Sequence, residues 1–217
     1  MVYTPIPFGT TNWHVPVNDA FTDQDARLTV AETELAATPP IGEVVAADHN
    51  AIAWTGDPGM VVSVGALTFG TLYMIRLQIR ETQTLTSVAY NVSAAGSGLT
   101  AGQNFVGLYN AAGALLRSTA DQTANFGATG FYQVNWSTPV VVPAGAHYVT
   151  WLTNGATTPP SLTRVGSWSS GSSPLNVGLT ATTARSATSG AGLTALPASV
   201  TMSGRTLNAT NWWAVLL

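Results

Sequence analysis

From Met60 onward the chain alternates apolar and polar residues with a period of two, in short runs interrupted by small-residue turns. In LYMIRLQI, residues 72–79, Tyr73, Ile75, Leu77 and Ile79 fall on one face, and Leu72, Met74, Arg76 and Gln78 on the other. In FYQVNW, residues 131–136, Tyr132, Val134 and Trp136 alternate with Phe131, Gln133 and Asn135. Only an extended strand sets residues i and i+2 on the same side. Comparable runs occur at VVSV, TSVAYNVS, NFVGLYN, ALLRST, PVVV, HYVTWLT, PASVTM and NWWAVLL, with turn clusters such as AAGSGLTAG, NAAG, PAG and NGATTPP between them. About eight to ten short strands at this spacing predict an antiparallel sandwich or jelly roll. Within it, Asn104–Thr119 reads as a hairpin folded about NAAG.

Composition agrees with polar but uncharged sheet faces. Hydrophobic residues make up 46% of the 217, ample for a core, and only 8% are charged. The basic residues are all Arg, a bias that GC-rich codon usage explains without any function. With no Cys, neither a disulfide framework nor a thiolate metal site can form. The first residues lack the basic and apolar regions of a signal peptide, and no run approaches the ~18 apolar residues that cross a bilayer. The expectation is therefore no export by that route and no membrane partner. The sequons at Asn91, Asn135 and Asn208 are expected to be incidental.

Charge divides the chain. Residues 1–57 carry a net −7 and residues 58–217 a net +4, which predicts an acidic N-terminal arm and a β-domain that meet near TGDPGM. The arm begins MVYTPIPFGTTNWHVP, whose prolines favour an extended course. Asn18 or Thr22 can then cap a helix with Asp19, Asp23 and Asp25 in its first turns, and TPP at Thr38–Pro40 ends it, giving about four to five turns. Val17, Phe21, Leu28, Ala31 and Leu35 follow heptad-like steps, with Gln24 the exception. So narrow a seam suits self-association, the other reading being a helix that lies on its own β-domain.

Chemistry-bearing motifs are scarce. A phosphate-binding loop of the Walker type needs a Lys. His14, His49 and His147 are scattered, without zinc-ligand spacing, and GSWSSG at Gly166–Gly171 is not a nucleophile elbow. Asp48 and His49 read as a solvated loop pair. Glycoside hydrolysis needs two opposed carboxyls, and residues 58–217 offer only Glu81 and Asp121, the latter in a turn where Asp serves the backbone. Six Arg spread over that region form no basic stripe for nucleic acid. The expectation is a chain that is not an enzyme and has no catalytic residues, cofactor, metal or nucleic-acid partner.

Seven Trp leave one opening, because sugar sites use aromatic faces flanked by polar groups. Trp136 and Trp151 lie in strand patterns and read as core. Trp212 and Trp213 are adjacent, so at most one can face the core of a two-layer sandwich. Trp168, in the Ser/Gly stretch RVGSWSSGSSP, is the candidate glycan contact, the alternative being a lid on the domain edge.

The segment from GLYNAAGALL through W-S-T-P-V at Trp136–Val140 to PAGAHYVTWL at Pro143–Leu152 resembles a jelly-roll module of bacterial surface adhesins. The same module occurs in minor tail or fibre proteins of tailed phages that infect actinobacteria. LPASVTM and WWAVLL look like the closing strands of those phage proteins, and NWHVPVNDAFTDQDARLTVAE is similar to their attachment arms. The resemblance implies a mainly β fold: an antiparallel jelly-roll sandwich preceded by an extended N-terminal arm and one short helix. It implies a virion structural protein, assembled in the host cytoplasm and anchored through Tyr3, Ile6, Phe8 and Trp13. Its partners would be copies of itself in a homotrimer joined through Val17, Phe21, Leu28, Ala31 and Leu35, other virion proteins, and a host cell-wall glycan. A capsid decoration protein or head fibre is the alternative within that class, and a cell-surface carbohydrate-binding module the alternative outside it.

Overall fold

The computed structural model describes residues 20–30, 44–61, 63–167 and 174–217. Residues 20–30 form a helix, α1, and Thr123–Phe126 a single turn, α2. Fifteen strands lie among the described residues. They are β1 (Ala53–Trp54), β2 (Ser63–Ala66), β3 (Leu72–Ile79), β4 (Gln83–Ala94), β5 (Ser97–Leu99), β6 (Phe105–Asn110), β7 (Leu115–Ser118) and β8 (Gly130–Val142), followed by β9 (Gly145–Leu152), β10 (Gly155–Thr158), β11 (Ser161–Ser167), β12 (Ser186–Ser189), β13 (Thr206–Leu207), β14 (Thr210–Trp212) and β15 (Val215–Leu216). One sheet runs β1-β15-β4-β11-β14, with β2 on β11 and β8 on β4; the other runs β13-β12-β3-β9-β6-β7, and β5 and β10 pair separately.

A ribbon of paired strands joins the two sheets. β3 pairs with β9 up to Ile79↔Gly145, and β4 takes up pairing with β8 at Gln83↔Val142, so both partners leave one sheet and enter the other at the same corner. An antiparallel ribbon wrapped in this way is the jelly-roll plan, and the mainly β sandwich expected from the period-two runs is what forms. The face of β3 that carries Tyr73, Ile75, Leu77 and Ile79 lies between the layers, together with Trp136 and Trp151 of β8 and β9, both expected in the core. Tyr73 packs edge-on against Trp212 with ring centroids 5.5 Å apart. PVVV is not a separate strand but the end of β8. Leu85 and Val88 both face the core although an odd number of residues apart, because pairing slips between Leu85 and Ser87 at this corner.

Parts of the outer faces are covered too, which alternation alone did not indicate. Leu72, Met74, Tyr109, Tyr148 and Leu152 are buried on the far side of the β3 sheet beneath Leu193, Leu196, Val200 and Met202. Arg205 fixes this cover. Its guanidinium lies 4.5 Å from the Tyr148 ring centre, and its Nη2 donates to the Ala181 and Thr182 carbonyls. PASVTM therefore supplies cover and one isolated bridge, Ser199↔Ala114, rather than a strand. On the other sheet Trp212 faces the core while Trp213 is buried outside it with Ala51, Ala89 and Val215. Both indoles are enclosed because that face has a cover of its own.

That cover corrects the boundary expected at residues 57 and 58. Contacts divide the chain between Glu43 and Val44, and residues 44–57 belong with the sandwich. Ala53 and Trp54 pair with Leu216 and Val215. Thr55 is buried and accepts from the Ala214 amide at 2.9 Å while its hydroxyl donates to the Trp212 carbonyl at 2.7 Å. Charge misplaced the boundary because Asp48 and Asp57 serve local turns, accepting from the Val45 and Gly59 amides. A chain starting at Val44 is expected to unfold cooperatively in urea. One starting at Gly59 should lose at least ~3 kcal/mol from missing hydrogen bonds and apolar cover. Equal midpoints for the two would show that β1 is dispensable.

Candidate functional site

The residues assigned from sequence divide between described and undescribed positions. Tyr3, Ile6, Phe8 and Trp13 lie outside the described residues, as do Val17, Ala31, Leu35 and Trp168. Phe21 and Leu28 are on α1, seven residues and about two turns apart, and so on one face. They are 60% and 58% exposed.

The sandwich carries a concavity that the sequence reading missed, a cleft of ≈ 500 Å³ whose walls include Asp57, Met60, Ser167, Leu175, Arg185 and Asn211. One wall is the turn Pro58–Met60, started by Asp57, whose Oδ1 accepts from the Gly59 amide at 2.7 Å. Gly56 lets this turn approach β11, since a Cβ there would lie 2.8 Å from a Val165 methyl. The Thr55 carbonyl anchors the floor, accepting from Arg185 Nη2 at 3.2 Å and Asn211 Nδ2 at 3.0 Å. Asn211 is 3% exposed, and its Oδ1 has no hydrogen-bond partner. No sequence signal marks this group: its members come from five separate stretches, and none forms a spaced motif.

Three further ionisable groups, Glu81, Asp121 and His147, serve structure. Glu81 accepts from Gln83 Nε2 at 2.8 Å. Burial works against ionised Asp121, but the amides of Gly102, Asn104 and Thr123 and the Thr123 hydroxyl outweigh it and hold its pKa below the usual carboxylate value. No group of three or more His, Cys, Asp or Glu suited to a metal occurs among the described residues. His147, 2% exposed, points Nδ1 at the Gly145 carbonyl 3.2 Å away. Burial lowers its pKa below the ordinary 6.5, and the carbonyl only partly opposes this. No protein-family model matches the sequence, and no curated protein matches it.

The lowered His147 pKa makes stability depend on pH. Between the ordinary value of 6.5 and the lower folded value, the unfolded chain binds the proton and the folded chain resists it. The His147 contribution is therefore complete above about pH 6.5 and is lost as pH falls through that window. Urea unfolding measured from pH 7.5 to 5 should show stability falling, and His147→Gln should flatten the slope even where it lowers the plateau. An unchanged slope would place the proton uptake elsewhere.

Proposed function

We propose that this chain is a non-enzymatic structural protein of a tailed-phage virion, a minor tail protein or fibre anchored by its N-terminal arm and displaying the jelly roll. The observation that carries the reading is the apolar pair Phe21 and Leu28, a heptad apart and more than half exposed on α1. A helix this short is marginal in water without partners, and an exposed heptad pair is what further copies would cover. The resemblance of the arm and of the GLYNAAGALL to PAGAHYVTWL segment to phage fibre proteins supplies the virion context. A capsid decoration protein or head fibre would use the same arm and helix on a different lattice, and particle position separates the two. Binding to a host cell-wall glycan belongs to this reading, with Trp168 the residue that the sequence offers for it.

The purified chain should be a homotrimer by light scattering after size exclusion. Phe21→Asp should weaken the assembly markedly by setting like charges together at one layer, with the sandwich unchanged by circular dichroism. A monomer at micromolar concentration would sink the trimer, and absence of the chain from purified particles would sink the virion role.

A further inference from the structure

We propose that the cleft between the Pro58–Met60 turn and β11 is a binding site for a neutral saccharide. The argument starts from unused hydrogen-bonding capacity. Asp57 spends one carboxylate oxygen on the Gly59 amide. Arg185 spends one guanidinium nitrogen on the Thr55 carbonyl. Asn211 has its Nδ2 fixed by that same carbonyl and its buried Oδ1 unsatisfied. One wall thus presents an acceptor and another a donor fork, over a floor held in place by the Asn211 amide.

The charges decide the ligand class. A single carboxylate and a single guanidinium line the cleft, so a ligand of either net charge meets a like charge as well as an opposite one. A hydroxyl donates and accepts through one atom, and can therefore satisfy both a carboxylate and a guanidinium in one small neutral ligand. Met60, Val165 and Leu175 supply apolar surface for the C–H faces of a sugar ring. Met60 is 61% exposed, so its thioether side chain is available for contact. The volume of ≈ 500 Å³ falls within the range of small-ligand sites.

The inference deepens the host-glycan part of the reading above and rests on it for its biological meaning, but the two fail separately. Binding is read on the purified full chain, whereas the virion role is read on particles. The probes are the methyl glycosides of glucose, galactose, mannose, arabinose, rhamnose and N-acetylglucosamine, with glucuronate as an anionic control, each titrated by ligand-observed NMR. At least one neutral glycoside should bind saturably. Asp57→Asn, which keeps the cap on Gly59, and Arg185→Met should each weaken that binding by about tenfold or more. Both should leave the melting temperature nearly unchanged, and Arg185→Lys should restore part of the affinity. The assignment is overturned if no neutral glycoside saturates, if binding is indifferent to both substitutions, or if glucuronate binds more tightly than every neutral sugar.

Discussion

Everything else in the sandwich hangs on the corner where β3 and β9 hand their pairing over to β4 and β8. Pairing reaches Ile79↔Gly145 in one sheet and resumes at Gln83↔Val142 in the other, with a short connection on each side. The two sheets are thereby fixed face to face, and the slip between Leu85 and Ser87 turns Leu85, Val140 and Val142 into the core beside the bend. The flanking strands take positions that this ribbon defines: β6 lies on β9, β12 on β3, and β11 and β15 on β4.

A chain with so few charges must tie down its loops by other means, and it uses buried amides. Asn104 donates to the Thr100 carbonyl and the Thr123 hydroxyl, and accepts from the Thr153 hydroxyl and the Asn154 amide. Asn176 donates to the carbonyls of Ser186 and Asn208 and accepts from the amides of Arg185 and Ser186. Each side chain uses both donors and both lone pairs, which leaves no desolvation penalty at these positions. Asn211 stands apart because its Nδ2 donates to the Thr55 carbonyl while its Oδ1 has no partner.

The inner layer was legible in the sequence because strand periodicity repeats every two residues and the inter-layer core enforces it. Tyr73, Ile75, Leu77, Trp136 and Trp151 were found that way. The outer covers were not legible. They are made by irregular segments near Ala51 and Val200 that have no period, and they make Leu72, Met74 and Trp213 buried on faces that alternation treats as the second side. The boundary was misread for a related reason, since the charge of Asp48 and Asp57 records local turn geometry and carries no information about β1. The cleft was invisible because Arg185 and Asn211 converge on the Thr55 carbonyl, a backbone atom that every residue possesses, two residues before Asp57.

The pairing of β1 with β15 places Ala53 opposite Leu216, so the first and last of the described strands are immediate neighbours. A fold whose entry and exit adjoin behaves as a plug-in cassette. It can be spliced into a surface loop of another protein without prising that loop apart, and its own chain can be rejoined across this seam and reopened at the Asn110–Gly113 turn with its strand neighbours unchanged.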